Sequence, residues 1–320
     1  MSDLKDLKIR WRLHGTETEP TTRQRGINVY RELQRQGYDA DVWEVGEPAD
    51  IIVLQYGMRL LDAALETGAT VVTDINDQIF ADHHPYCQET IAGLPRVHAV
   101  VAGSPRLSEH LVRLHPFVRM IEEGVDPRYF AVKKQKHDGI NMLYMGLHDN
   151  IIYFNEIDVV LERLAKKHQF TVTFLLPPLD GQQRSNADKV KAKPYPTKFI
   201  PWTMEDLLEQ MSLADIGLVP LFQQEWTWNK CCNKLASFCA ASIACVATDV
   251  PSYRAVMRHG TDAMLAYTQE EWEGFLGLLL SDSGMRSRLS VAGKRRASQF
   301  LSIETIAGQW LELFQEIRPR

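Results

Sequence analysis

The sequence lacks the segments that would anchor a protein in a membrane or export it. No apolar run in its 320 residues approaches the roughly 18–20 residues that a spanning helix requires. The N-terminal residues M-S-D-L-K-D-L-K are charged and contain no apolar core of a signal peptide. These features predict a soluble, cytoplasmic protein.

Cysteine and basic charge are also limited. The chain has 5 cysteines, and the four between residues 231 and 245 show neither a C-x-x-C pair nor a usual zinc spacing. We therefore expect reduced thiols rather than disulfides or a metal centre. The net charge of −5 gives no general attraction to nucleic acid or anionic lipid.

Several common catalytic motifs are missing. The sequence contains no G-x-x-x-x-G-K-[ST] phosphate loop, no G-x-G-x-x-G fingerprint, no G-x-S-x-G elbow and no H-E-x-x-H pair. Readings as a phosphate-loop kinase, a dinucleotide oxidoreductase, an α/β-hydrolase or a zincin protease therefore have no motif to support them.

The chain instead alternates short apolar strands with amphipathic helices. Its length favours about two domains, and a polar segment at 131–139 is the expected linker. Strand alternating with helix predicts parallel, doubly wound sheets. Strands are predicted at 7–13, 41–45, 51–55, 70–73, 98–102, 118–121, 140–146, 171–176 and 198–201, and in the block 215–266.

The block 215–266 is the most informative part of the sequence. An apolar strand, A-D-I-G-L-V-P-L, leads through a Trp-rich loop to a small-residue helix and then to a second apolar strand. Lys230 and Lys234 lie four residues apart at the predicted start of that helix, so they are expected on one face. A helix N-terminus with added cations is a favourable place for phosphate. The alternative is a solvated helix start with two surface lysines.

This block resembles the donor-binding half of GT-B fold glycosyltransferases, in particular the family 4-like enzymes (glycosyl transferases group 1). T-R-Q-R-G-I-N-V-Y-R-E-L (22–33) and I-E-E-G-V-D-P-R-Y-F (121–130) resemble parts of the other half. The resemblance implies a GT-B architecture of two Rossmann-like doubly wound domains facing across a cleft. Residues 1–132 would form the acceptor domain, joined by a C-terminal helix at 303–320 that crosses back to it, and residues 133–302 would form the donor domain.

The implied activity is transfer of a hexose or pentose from a nucleotide sugar, with retention and with no metal or other cofactor. By position, the donor-binding candidates are Gly146, Leu147, His148, Trp202, Asn229, Lys230, Lys234 and Ser237. Alternatives stay open, because a turn histidine is often a capping residue and a tryptophan beside a strand is often core.

Asp74 and Asp77, which follow the strand at 70–73, are the candidates for catalysis on the acceptor side. Strand C-termini in doubly wound sheets face the ligand crevice, although aspartates are also common in turns for local reasons. Arg23 and Arg25 precede the first predicted helix and are candidates to meet donor phosphate or an anionic acceptor.

One departure supports a different class of function. Family 4 enzymes usually carry two glutamates with seven residues between them in the donor site, where this chain has Asn229 and Ser237. The alternative hypothesis is therefore a catalytically degenerate GT-B-like binding or scaffold protein. For an enzyme, the acceptor is left open between a small molecule, a polysaccharide and DNA, with the basic loop 184–193 as a contact for a polymer.

Overall fold

A computed structural model describes residues 4–56, 58, 60–81, 84–177, 188, 190 and 192–318. The chain divides into two compact units. Unit 1 comprises Met1–Asp126, Trp228–Cys232 and Phe300–Arg320, and unit 2 comprises Pro127–Thr227 and Asn233–Gln299. Most of the loop 184–193 lies outside the described residues.

Unit 1 is built on a six-stranded parallel sheet with the order β2-β1-β3-β4-β5-β6. Its strands are β1 Lys8–Arg12, β2 Asp39–Val42, β3 Ile51–Gln55, β4 Thr70–Ile75, β5 Ala99–Ala102 and β6 Val118–Met120. The helices are α1 Asn28–Arg35, which continues a π-helical turn at Thr22–Ile27, α2 Leu61–Glu66, α3 Cys87–Gly93, α4 Pro105–Leu111 and the C-terminal α13 Ile303–Ile317; short 3₁₀ turns lie at Leu4–Asp6 and Leu94–Arg96.

Unit 2 also contains a six-stranded parallel sheet, with the order β12-β11-β10-β7-β8-β9. Its strands are β7 Asn141–Met145, β8 Thr171–Leu176, β9 Thr197–Pro201, β10 Ile216–Val219, β11 Ala244–Thr248 and β12 Met264–Ala266. Its helices are α5 Pro127–Phe130, α6 Asp158–Ala165, α7 Met204–Leu213, α8 Glu225–Trp228, α9 Asn233–Ala240, α10 Pro251–Val256, α11 Gln269–Ser281 and α12 Ser283–Leu301, with a 3₁₀ segment at His148–Glu156.

Two helices begin with a side chain that caps the first turn. Ser104 accepts a hydrogen bond from the backbone N–H of Leu107, and Pro105 occupies the first turn of α4. Thr203 caps α7 in the same way by accepting from the N–H of Asp206. These caps fix where each helix leaves the carboxyl edge of its sheet.

Each sheet reverses its strand order beside one central strand. In unit 1 the chain passes from β1 to β2 on one side and then returns to β3 on the other. In unit 2 it builds β7, β8 and β9 outward and then returns to place β10 against β7. Loops at such a reversal leave in opposite directions, which opens a crevice outside the carboxyl ends of the two strands. Each unit therefore has one preferred place for a ligand.

Two further properties hold for the described part of the chain. It contains no helix that is both long and apolar enough to cross a bilayer. It also holds no group of three or more His, Cys, Asp and Glu side chains in a metal-binding arrangement.

The C-terminal helix α13 packs on the sheet of unit 1, as the sequence predicts. Ile306, Trp310, Leu313 and Phe314 are all buried in the same core as β1 and β3. Trp310 meets the ring of Trp11 edge-on, with 5.9 Å between centroids. The last helix therefore completes the core of the first domain.

We predict that Trp310→Ala lowers the free energy of unfolding by about 3–5 kcal/mol, the usual cost of emptying a buried aromatic site. Thermal denaturation measures the effect, and Glu312→Ala, an exposed change on the same helix, is the matched control. An unchanged melting temperature for Trp310→Ala would contradict the packing of α13.

Candidate functional site

The backbone at Gly146 forms the floor of a polar site in unit 2. Gly146 follows β7 directly, at the reversal between β7 and β10. A Cβ at this position would lie 2.6 Å from the hydroxyl oxygen of Tyr144 and 2.9 Å from Nζ of Lys234. Only glycine allows the chain to pass this close to both groups. Position 146 therefore brings a phenol hydroxyl and an ammonium group together at the ligand-binding edge.

The Tyr144 hydroxyl is buried and has no hydrogen-bond partner among the described residues. Burial raises the pKa of Tyr144 above its ordinary value, so the group keeps its proton and remains a donor. A buried polar group without a partner is costly. An acceptor atom supplied by a ligand would remove that cost.

Lys234 sits in the first turn of α9, with Nζ 5.2 Å from the centre of the Tyr144 ring. The positive end of the helix dipole makes this an unfavourable position for a cation, by about 0.3–1 kcal/mol. A bound anion would interact favourably with both the lysine and the helix start, which offsets that cost. The lysine, the helix start and the hydroxyl thus favour the same kind of ligand.

The prediction that Lys230 shares a helix face with Lys234 is wrong. The helix α8 ends at Trp228 and α9 begins at Asn233, so Lys230 lies in the break between them. The segment Trp228–Cys232 belongs to unit 1, whereas Lys234 belongs to unit 2. Spacing of four residues implies a shared face only within a continuous helix, and here the helix is interrupted.

Asn229 also belongs to unit 1. Its side chain is buried, with Nδ2 donating to Oε1 of Gln78 at 3.1 Å. Its carbonyl accepts a hydrogen bond from Oγ of Ser104 at 2.8 Å. These two hydrogen bonds therefore hold the segment Trp228–Cys232 against the rest of unit 1.

The other predicted donor residues lie in unit 2 in different environments. Leu147 is exposed, and Trp202 is half-buried at the end of β9. His148 is buried; its Nε2 lies 2.9 Å from the carbonyl oxygen of Pro177, and its Nδ1 has no partner among the described residues. Ser237 is buried inside α9 and donates to Oδ1 of Asn233 at 3.4 Å, so its hydroxyl is turned to its own helix.

Asp74 and Arg25 form a buried ion pair. This pairing differs from the two predictions, which placed Asp74 in a turn as a catalytic candidate and Arg25 against an anionic ligand. The strand β4 continues to Ile75, so Asp74 lies inside it and not in the following turn. Both side chains are 1% exposed, and Nε of Arg25 donates to Oδ2 of Asp74 at 2.9 Å. Arg25 also donates to the carbonyl of Ile121 at 2.9 Å. The two charges neutralise each other, and Arg25 is hydrogen-bonded to Asp74 and Ile121. The pair therefore has a structural role.

Arg23 is likewise placed in the interior of unit 1. Its Nε donates to Oδ2 of Asp126 at 3.1 Å, with both side chains 2% exposed. Its Nη1 donates to the carbonyl of Glu17 at 2.9 Å. The prediction that Arg23 and Arg25 present their charge to a ligand is therefore wrong.

Glu122 is a buried carboxyl group that the sequence analysis did not single out. Its burial raises its pKa to about 8, although the charge of Arg25 and the backbone N–H of Cys232 act in the opposite direction. Near neutral pH it is mainly protonated. Asp74 consequently remains the carboxylate that balances Arg25.

Asp77 keeps the accessibility that a catalytic carboxylate needs. Its side chain is 44% exposed, and Oδ2 lies 4.0 Å from Nζ of Lys230. Burial of Tyr56, together with the nearby charge of Asp77, raises the pKa of Tyr56 to about 12. Asp77 therefore lies near Lys230, just beyond the carboxyl end of β4.

The tyrosines were missed because each reads as an ordinary apolar position. Tyr144 occupies the interior of a buried strand, and Tyr56 follows the last residue of another. The usable signal was position, because each lies one residue from the last residue of a strand that flanks a reversal of strand order, and only the topology reveals that reversal.

Comparison with known proteins identifies solved structures of the same fold. No family model matches the sequence, and no curated protein matches it. The Anabaena protein HepE, in complex with UDP and glucose, superposes with a TM-score of 0.74 at 12% identity, covering 97% of this chain and 99% of that one.

Two further structures agree. A glycosyltransferase from Rickettsia africae has a TM-score of 0.68 at 12% identity, covering 98% of this chain and 99% of the other. Sucrose-phosphate synthase from Thermosynechococcus elongatus has a TM-score of 0.63 at 14% identity, covering 95% and 80% respectively. Together with the two parallel six-stranded sheets, these likenesses identify the architecture of this chain as the GT-B fold.

Proposed function

We propose that this protein is a glycosyltransferase that moves a hexose or pentose from a nucleoside-diphosphate sugar to an acceptor. The observation that carries the proposal is the site at Gly146, where Lys234 and the buried Tyr144 hydroxyl meet at the strand-order reversal of unit 2. The fold supports it, because the structurally similar HepE binds UDP, and UDP-glucose in a further complex. UDP is accordingly the first nucleotide to test.

The diphosphate of the donor is the group that this site suits. Lys234 supplies a positive charge, and Tyr144 supplies an O–H donor that has no partner within the described chain. Fixed donors aimed at developing charge stabilise a transition state most effectively when they are already in place. Leaving-group stabilisation would therefore depend on Lys234 and Tyr144, with Gly146 allowing the approach.

The transfer step breaks the bond between the anomeric carbon of the sugar and the diphosphate oxygen. The electron pair leaves with the nucleoside diphosphate, whose charge Lys234 offsets. A new bond forms from the acceptor oxygen to the anomeric carbon on the face that the diphosphate leaves, which retains the configuration, and the acceptor proton passes to a base. Asp77 is our candidate for this base, because Asp74 is committed to Arg25.

Retention of anomeric configuration and independence of metal ions complete the proposal. Both rest on the resemblance to family 4-like enzymes. Lys234 is compatible with the second, since it can supply positive charge at the diphosphate.

The missing glutamate pair gives the opposing hypothesis, a scaffold without turnover. Ser237, at one of the two positions, is buried and bonded within α9. Ribose contacts would then depend on other groups. Nucleotide binding without any release of product would favour the scaffold over the enzyme.

The first prediction concerns Lys234. Replacing it by alanine removes a charge-assisted contact of about 1.5–3 kcal/mol, so affinity for UDP should fall roughly 10- to 150-fold. Lys234→Gln should behave in the same way, because the lost quantity is charge. Isothermal titration calorimetry with UDP measures both variants.

Lys166→Ala is the matched control, since it removes the same charge from an exposed position at the end of α6 in the same unit. We expect it to leave UDP affinity within twofold of the parent value. Circular dichroism confirms that each variant is folded. Equal UDP affinity for Lys234→Ala and the parent would show that the nucleotide site lies elsewhere.

The second prediction separates the two aspartates. Asp77→Asn should slow release of UDP from UDP-glucose in the presence of an acceptor by roughly 10²- to 10⁴-fold, with stability almost unchanged. Asp74→Asn should instead destabilise the fold by about 3–5 kcal/mol, because it leaves Arg25 buried without its counter-charge. Parallel kinetic and thermal measurements on the two variants would contradict the assignment if Asp77→Asn kept full activity.

A further inference from the structure

Unit 1 has a pocket at its own strand-order reversal, on the other half of the chain from the site at Gly146. The pocket has a volume of about 120 Å³. It is lined by residues at or just after the ends of β1 and β3 and by two residues from later in the chain: Arg12, Leu13, His14, Leu54, Gln55, Tyr56, Leu60 and Tyr86. Sites for drug-sized ligands usually measure roughly 300–1,000 Å³. This pocket is therefore suited to one ring of a ligand.

Two tyrosines and a histidine contribute aromatic rings to the pocket wall. The rings of Tyr56 and Tyr86 stand perpendicular, with 6.5 Å between centroids. His14 lies 4.4 Å from Tyr56, and His84 lies 5.4 Å from Tyr86. The two tyrosines and His84 are only partly buried, and His14 is exposed. Three of these rings line the pocket and keep some of their surface accessible to a ligand.

The backbone at Tyr56 is strained. Its φ is 54°, in the left-handed region, where an aromatic residue is a genuine outlier. Such a conformation costs on the order of 1–3 kcal/mol and is found mainly at binding and catalytic sites. The strain places the Tyr56 ring beside His14 and not along the line of β3.

Buried Gln55 fixes the loop that carries His14. Its Oε1 accepts from the backbone N–H of His14 at 3.2 Å, and its Nε2 donates to the carbonyl of Thr21 at 2.9 Å. With both ends of the amide engaged, the loop after β1 is held against the end of β3. The aromatic wall is thus preformed.

We infer that this pocket binds a pyranose ring of a saccharide acceptor, with Tyr56 and Tyr86 as the walls that select it. A pyranose has an apolar C–H face, which suits an aromatic ring, and a polar edge of hydroxyl groups. Tyrosine offers the apolar face and a hydroxyl together, and Arg12 and His14 add polar groups at the rim. This combination of flat apolar walls and polar edges suits a rigid sugar ring better than a flexible, chain-like ligand.

The inference rests on the proposed function, because it names the acceptor class for the same reaction. Asp77, our candidate base, belongs to the same unit as the pocket and follows β4, the strand that pairs with β3. The acceptor would then be a saccharide or a glycoside rather than DNA.

Saturation-transfer NMR on the full chain tests the pocket directly. The probes are the methyl pyranosides of glucose, galactose, mannose and N-acetylglucosamine, with uridine as a control for simple base stacking. At least one pyranoside should receive saturation from the protein. Tyr86→Ala should weaken its affinity by roughly 2- to 12-fold, the value of an aromatic contact of about 0.5–1.5 kcal/mol, whereas Tyr86→Phe should retain it.

His14→Ala, an exposed change in the same wall, provides a second variant that should weaken binding without unfolding the protein. UDP titration of every variant separates the two claims. Pyranoside binding lost in Tyr86→Ala with UDP affinity unchanged supports the inference. Normal UDP binding with no pyranoside bound by the parent, or equal pyranoside affinity for Tyr86→Ala and the parent, overturns the inference and leaves the proposed donor site standing.

Discussion

The reversal of strand order in each parallel sheet is the constraint on which the rest of the account depends. Parallel strands all end at one edge, and the loops separate only where the order reverses, between β1 and β3 and between β7 and β10. Gly146 follows β7, and Tyr56 follows β3. The unpartnered hydroxyl beside Gly146 and the strained backbone of Tyr56 therefore lie where the topology leaves room for a ligand.

Burial decides which charged residues remain available for chemistry. Arg25 and Asp74 neutralise each other inside unit 1, and Arg23 does the same with Asp126. Removing two charges from water is expensive, so such pairs persist only with good geometry and additional hydrogen bonds. Asp77 is only three residues beyond Asp74 but is 44% exposed. Asp74 therefore has a structural role, whereas Asp77, three residues later, is the candidate catalytic residue.

Much of the fold could be predicted from the sequence, because strand and helix periodicities are local properties. The strands, the caps at Ser104 and Thr203, and the buried stripe on α13 all follow from neighbouring residues. The burial of a charged side chain and the identity of its partner are not determined by neighbouring residues. Nothing in the spacing of Lys230 and Lys234 reveals that the helix breaks between them, and the partner of Arg25 lies 49 residues away. Those features require the tertiary structure.

The most direct test of the central claim is a thermal-shift panel on the parent protein with UDP-, GDP- and ADP-linked sugars. A ligand that binds only the folded state stabilises it by about 2.7 kcal/mol at a concentration 100 times its Kd. The account predicts that at least one of these sugars raises the melting temperature and that the corresponding nucleoside, which lacks the diphosphate, does not. Failure of every nucleotide sugar to shift the melting temperature would contradict a diphosphate site at Gly146 and Lys234.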